Sequence, residues 1–423
     1  MNKTHSTTLF IIRGVFLILL SPFFILFLLM RILGRLFFVS EAPTRSKKKV
    51  LFLVVDSMAF YVQRLVMAKG VLEAGYEVHV AGADVGAIDQ IEALGFKFHH
   101  LDLNRGGINP FSDLMPFLKL VLFLAKERPD ILQCVSIKQV LYGATAGTIV
   151  GLKRIVCLIN GLGYAFEGYG FKGKFIKILV TLLYKKVLAL PGLRVIFQNP
   201  DDQNYFIENR IVDRDKTILI RGSGVDMDKF APAPPPSNQV PVVLFVGRLL
   251  KSKGIFDLIE AAMVLKAQGL QFILRVVGEP DDRNPEAISK DETIRLHNEG
   301  IIEWVGRQSD MPKFYRESDI ICLPTLYKEG LPLSLLEAAS IGRPLIATDV
   351  PGCREIVRDG INGYLFPPKS LSDLTNVLKK LILNSEDREK FGKMSTQMVQ
   401  DEFSGKIIQQ KLNSVYEHLI YSK

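Results

Sequence analysis

Eleven residues near the middle of this chain, Ala231 to Pro241, contain five prolines: Pro232, Pro234, Pro235, Pro236 and Pro241. Such a run favours an extended, semi-rigid connector. It cuts the chain beyond residue 48 into two nearly equal pieces, and each alternates short apolar runs with segments of helical period. Before the connector, Val50–Val55 reads as a strand, Gln63–Ala74 as a helix ended by Gly75, and Tyr76–Ala81 as the next strand. After it, Val242–Val246 reads as a strand and Phe272–Val277 as another. Between them Ile255–Ala267 has the period of a helix, with Ile255, Leu258, Ile259, Ala262 and Leu265 on one face. Strands alternating with helices imply parallel sheets covered on both faces and wound right-handed. The expected fold class is therefore α/β: two Rossmann-like, doubly wound parallel-sheet domains at residues 49–230 and 242–400, joined by the linker at 231–241. Residues 401–423 are expected to form a C-terminal helix packing back towards the N-terminal domain. Ligands of such sheets bind beyond the carboxyl ends of the strands, so both domains point their binding loops into the cleft between them.

The charge is unevenly placed. Of a net +9 over 423 residues, +7 lies in residues 1–49, where eight Lys or Arg face Glu41 alone. The near-neutral remainder argues against a nucleic-acid partner, which leaves its footprint as a basic domain. Between Arg13 and Arg31 lie 17 uncharged residues, Gly14–Met30, and a helix of that length reaches about 26 Å against a hydrocarbon core of about 30 Å. Residues 1–48 thus read as a membrane-anchoring helix with a basic juxtamembrane segment, either a single span or a re-entrant hairpin bent at Ser21-Pro22. A cleaved signal peptide fits less well, because Arg31 and Arg35 follow the apolar run in place of a small-residue cleavage site. The cluster from Arg31 to Lys49 outweighs Lys3 and Arg13, which sets the following residues in the cytoplasm and draws them to anionic lipids of the inner membrane. Cys134, Cys157, Cys322 and Cys353 have no disulfide or metal spacing and read as core residues of a reducing compartment. The six histidines form no HxxxH or HExxH; His99 and His100, in the strand-like Phe96–Leu103, read as surface or interdomain residues.

The chemistry concentrates in the second half. The strand Val242–Val246 runs into Gly247-Arg248, and Lys253-Gly254 follows at the start of the next helix. A glycine at a strand end admits a ligand to the backbone, and a helix start offers N–H groups to anions. Alone, Arg248 and Lys253 read more readily as surface charge. What gives them meaning is Glu329-Gly330-Leu331-Pro332-Leu333-Ser334-Leu335-Leu336-Glu337, where a turn after the strand Asp319–Leu323 leads into a helix at Leu333–Ile341. Two carboxylates so placed hold different hydroxyls of one polyol while the helix start faces a phosphate, the pattern a sugar nucleotide presents.

On these residues the chain resembles glycosyltransferase family 4, the retaining enzymes of GT-B fold, over essentially all of residues 49–400. The family's glutamate pair corresponds to Glu329 and Glu337, its Arg-Lys pair to Arg248 and Lys253, and its late Pro-Gly-x-x-Glu segment to Pro351–Glu355. The resemblance implies that Glu337 holds the nucleotide ribose, that Glu329 contacts the donor hexose, and that Arg248 and Lys253 neutralise the diphosphate. It places Gly247, Arg307, Gly330, Leu331, Pro332, Leu333 and Ser334 around the same donor. The segments Leu103–Pro110, Ser136–Gly143, Asn160–Phe166, Phe197–Asp202 and Arg221–Asp226 look like the branch that extends polyprenyl-diphosphate-linked sugars. That likeness makes Gln63, Arg64, Arg105, Lys138, Gly161 and Gly163 acceptor-side candidates, with Arg105 and Lys138 for the acceptor's diphosphate. The branch usually carries His-Arg-Leu where this chain has Gln63-Arg64-Leu65, and a basic residue where Leu333 stands.

The resemblance thus implies a retaining hexosyltransferase. It would move a sugar, an N-acetylhexosamine, from a UDP-sugar to a polyprenyl-diphosphate-linked saccharide at the cytoplasmic face of a bacterial inner membrane. Fixed cations would take the place of a metal on the leaving diphosphate, so no metal or other cofactor is expected and the UDP-sugar is a substrate. Asp226-Met227-Asp228 matches an Asp-x-Asp metal signature by letters but follows a Gly-Ser-Gly turn ahead of the linker. A sugar-nucleotide epimerase of the same fold and a non-catalytic, membrane-tethered sugar-nucleotide sensor are the alternatives; product analysis with donor alone separates them.

Overall fold

The computed structural model describes residues 46–103, 113–162, 166, 170–280, 286–327 and 329–421. The expected anchor at Gly14–Met30 lies outside the described residues, and among those described no helix is long and apolar enough to cross a membrane.

Two wholly parallel sheets form the body. The first contains β1 (Lys49–Asp56), β2 (Glu77–Ala83), β3 (Lys97–His100), β4 (Ile131–Val135), β5 (Ile155–Ile159), β6 (Leu193–Phe197) and β7 (Thr217–Leu219), in the order β3-β2-β1-β4-β5-β6-β7. The second contains β8 (Val242–Val246), β9 (Ile273–Val277), β10 (Glu303–Trp304), β11 (Ile320–Leu323), β12 (Leu345–Thr348) and β13 (Gly363–Phe366), in the order β10-β9-β8-β11-β12-β13. Strands β4, β5 and β11 are buried along their whole length, as expected where helices cover both faces of a parallel sheet. In each domain the strand order reverses beside the first strand, between β1 and β4 and between β8 and β11. A crevice opens at such a reversal because successive crossovers leave to opposite faces.

The helix Ile255–Ala267 buries the face read from its period: Ile255, Leu258, Ile259, Ala262 and Leu265 all lie in the core. The first helix differs from expectation. It begins at Ser57, because the Asp56 carboxylate accepts the Ala59 N–H at 2.7 Å and caps it, and it breaks at Arg64 before resuming as Leu65–Glu73. A cap contributed by the last residue of a strand gives no periodic signal.

The linker is held against the C-terminal domain: buried Arg343 donates to the Pro234 carbonyl at 2.7 Å, and the Ala233 N–H reaches the Ile341 carbonyl at 3.0 Å. At the other end, the helix Gly405–Tyr421 crosses back onto Leu65–Glu73. Gln409 donates to the Val66 carbonyl at 2.7 Å, Asn413 to that of Gly70 at 3.0 Å, and the buried Tyr416 hydroxyl to Gln133 of β4. The chain therefore passes between the domains twice, and the last helix completes the N-terminal core.

Candidate active site

The two strands flanking the reversal in the C-terminal domain both lead into the site. From β8 the chain passes through Gly247 and exposed Arg248 into the short turn Lys251–Lys253. Gly254 then starts the next helix at φ +74°, and a Cβ there would lie 1.9 Å from the Pro324 carbonyl oxygen, so only glycine lets this turn press against the end of β11. That approach brings Lys253 to Glu329. The Lys253 ammonium donates to Glu329 Oε1 and lies 5.5 Å from the centre of the Tyr327 ring, while Thr325 Oγ1 donates to the same carboxylate oxygen at 3.4 Å. Both charged side chains are more than four-fifths buried. Beyond Glu329, the helix Leu333–Ile341 starts after Pro332 without a side-chain cap, and a helix start offers N–H groups to an anion.

One turn into that helix, Glu337 accepts a hydrogen bond from the Tyr315 hydroxyl at 2.9 Å. Burial pushes its pKa up to about 7, against the lowering effects of that bond and of the Lys229 ammonium. A carboxylate in such surroundings gains from hydroxyl donors that solvate its charge. Arg307 stands exposed after β10, two strands from β8, on the same carboxyl-end side, where the Gly306 carbonyl accepts the Gly278 N–H at 3.0 Å.

The N-terminal domain grips this site from across the cleft. Asn199 donates to the Gly330 carbonyl at 3.0 Å and the Glu329 carbonyl at 3.4 Å, while its own Oδ1 caps the helix Pro200–Glu208. A Cβ on Gly330 would lie 2.4 Å from the Asn160 carbonyl oxygen. Beside this contact Arg221 pairs with Glu355 at 3.0 Å and with Glu402 at 3.3 Å.

The acceptor-side candidates are scattered by comparison. Gln63 is exposed, whereas Arg64 is buried and donates to Ser223 and to the Gln63 carbonyl; burial pulls its pKa down to about 10. Lys138, in the first turn of Ile137–Ile149, donates to buried Asp113 at 2.9 Å, and Tyr142 donates to the other oxygen of that carboxylate at 2.8 Å. Gly161 holds φ +105° just after β5. Arg105 and Gly163 lie outside the described residues. Asp226 is occupied locally: its carboxylate accepts the Asp228 and Lys229 N–H groups, both at 3.1 Å.

Comparison with known proteins agrees with this geometry. The family model for glycosyl transferases group 1 matches residues 226–398, and a glycosyl transferase 4-like model matches residues 49–191. This chain is a glycosyltransferase. Among curated relatives of the transferase is the N,N'-diacetylbacillosaminyl-diphospho-undecaprenol alpha-1,3-N-acetylgalactosaminyltransferase of Campylobacter jejuni, 26% identical over 87% of this chain and 98% of the relative. Another is the Escherichia coli UDP-Gal:alpha-D-GlcNAc-diphosphoundecaprenol alpha-1,3-galactosyltransferase, 27% identical over 66% of this chain and 73% of the relative. Its fold matches Anabaena HepE solved with UDP-glucose, at TM-score 0.70 and 19% identity over 87% of this chain and 99% of that one.

Sequence reading of the transferase missed the roles of Tyr315, Thr325 and Asn199. Tyr315 and Thr325 belong to no motif and meet the glutamates only through packing. Asn199 stands in a quoted segment, and its place directly before Pro200 marks it as a helix cap, but nothing local shows that it reaches the other domain.

Proposed function

We propose that this glycosyltransferase retains anomeric configuration and moves an N-acetylhexosamine from a UDP-sugar to a polyprenyl-diphosphate-linked saccharide during assembly of a cell-surface glycan. The observation that carries the reading is the largely buried Lys253–Glu329 pair at the strand reversal, set between the exposed Arg248 and an uncapped helix start. The C. jejuni relative, matched along nearly its whole length, supports the acceptor class.

In this reading the donor diphosphate lies over Arg248, Lys253 and the N–H groups near Leu333. Glu329 accepts from a hexose hydroxyl, and Glu337 accepts from the ribose. As the bond from the anomeric carbon to the phosphate oxygen breaks, the diphosphate gains charge, which fixed donors stabilise without reorganising. The acceptor hydroxyl oxygen bonds to the anomeric carbon on the face the diphosphate leaves, and its proton passes to a phosphate oxygen of that leaving group. No side chain is needed as general base, and no metal takes part.

A panel of radiolabelled nucleotide sugars, incubated with the full chain and membrane lipid extract, tests the reading. Label is expected in a lipid-extractable product from one UDP-N-acetylhexosamine. Epimerised donor with no labelled lipid would overturn it. We further place the enzyme at the cytoplasmic face of the membrane through residues 1–48. Deleting residues 1–40 is expected to release it partly from membranes while donor hydrolysis persists; complete sedimentation of the truncated chain with membranes would show that the body itself binds lipid.

A further inference from the structure

At the end of the N-terminal sheet opposite the cleft, three elements bring together side chains that no sequence spacing connects. His79 of β2 and His99 of β3 stack with ring centres 4.9 Å apart, and His79 Nδ1 stands 2.8 Å from His99 Nε2. Glu127, at the end of the helix Leu114–Glu127, has Oε2 3.8 Å from the same His79 Nδ1. His79 is buried and the other two are half-buried, so His99 is not the simple surface residue its neighbourhood in sequence suggests.

The tautomer follows from the partners. His79 Nε2 lies 3.0 Å from Glu77 Oε1, a carboxylate that only accepts, so Nε2 carries the proton and Nδ1 accepts from His99 Nε2–H, whose proton a metal ion bound between the two rings would displace. A carboxylate on the far nitrogen of an imidazole is the usual support of a metal-ligating histidine. Glu77 is itself held by Lys97 at 2.6 Å, and Lys49 holds Glu127 at 2.7 Å. A carboxylate has about four lone-pair directions, so the Lys49 bond and a metal bond fit on one group. Two nitrogens on a tetrahedral zinc stand about 3.3 Å apart, so the rings need separate by only about 0.5 Å. The cluster opens on a cavity of about 830 Å³ bordered by Ser46 and Lys47.

We propose that His79, His99 and Glu127 form a three-ligand site for a divalent transition-metal ion of zinc's type, its fourth position open to water in this cavity. Two imidazoles and one carboxylate suit zinc over magnesium or calcium, which prefer oxygen alone. The ion ties β2, β3 and the helix end together, away from the donor cleft.

The test uses the full chain in detergent, stripped with chelator and dialysed against graded zinc, with bound metal measured per chain. One equivalent is expected, and cobalt(II) in its place should give the visible absorption of a tetrahedral site. Glu77→Gln is expected to weaken zinc binding roughly 10–100-fold. His99→Gln should abolish stoichiometric binding, His99→Cys should restore it, and His297→Ala should leave it intact. Circular dichroism checks that each variant folds. Absence of stoichiometric zinc in the wild-type chain, or equal affinity in folded His99→Gln, would overturn the site.

Discussion

The two domains share one topology, yet their strand reversals are furnished differently. Beyond β8 and β11 stand an exposed Arg248, a Lys253–Glu329 pair whose side chains are each more than four-fifths buried, and a helix at Leu333 that starts without a side-chain cap. Beyond β1 and β4 the cations are held more deeply, Arg64 at 2% exposed against Ser223 and Lys138 against an Asp113 carboxylate that is 1% exposed. A charge committed to a buried partner costs free energy to redirect. In the proposed reaction the C-terminal domain therefore supplies the electrostatic stabilisation, while the N-terminal domain supplies a rigid wall and, through Asn199, holds the catalytic loop by its backbone.

The contrast breaks most visibly if the cations beyond β8 prove dispensable. Arg248→Ala and Lys253→Ala are each expected to lower turnover by about 2.7–4 kcal/mol of barrier, or about 100- to 1,000-fold, the scale for one preorganised donor. Lys253→Ala also leaves the Glu329 carboxylate without its ammonium partner, so thermal unfolding is measured alongside. Near-normal turnover in both variants, assayed with the labelled donor and lipid acceptor, would remove the cation clamp.

Glu337 sharpens the comparison through pH. Its folded pKa is raised to about 7, so the buried charge costs stability that appears as pH climbs from the unfolded value through 7 and levels off above it. Glu337→Gln removes the charge and is expected to stabilise the donor-free protein at pH 8 by something on the order of 1–3 kcal/mol. The ribose hydroxyls need the ionised form, so the donor KM of the wild type should rise as pH falls from 8 to 6. Glu337→Gln should show a donor KM higher by roughly tenfold at pH 8 and flat with pH, the size of a lost hydrogen bond to a charged group. A wild-type KM that does not change with pH would remove Glu337 from the ribose.

The legible part of the fold was the part with a period or a breaker. Ile255–Ala267 and Leu333–Ile341 fall where their apolar spacing and flanking glycine and proline put them. What the sequence left hidden depends on groups far apart along the chain. Asp56 caps a helix from the end of a strand, and Tyr315 meets Glu337 across 22 residues. His79, His99 and Glu127 converge from two strands and a helix, which no motif spacing encodes. Glu329, Glu337, Arg248 and Lys253 were singled out because they resemble a family pattern, whereas the meeting of Lys253 with Glu329 depends on the Gly254 turn packing against the end of β11. The acceptor wall was less so, since its side chains are chosen by packing as much as by ligand.

Lys138 tests the smallest difference between the two halves. Its ammonium and the Tyr142 hydroxyl together satisfy a carboxylate that is 1% exposed, so Lys138→Gln lowers stability whether or not the acceptor ever meets this residue. Asp113→Asn relieves that problem by removing the buried charge, and the double variant should recover most of the lost stability. If Lys138 also meets the acceptor's diphosphate, the double variant keeps an acceptor KM raised by roughly fivefold, about 1 kcal/mol, with donor KM unchanged. Asp113→Asn alone, which removes the ion pair between that carboxylate and Lys138, should then lower acceptor KM by a smaller factor. Acceptor KM that merely tracks stability across the four proteins would make Lys138 a wholly internal residue, and the N-terminal wall would then meet the acceptor without this cation.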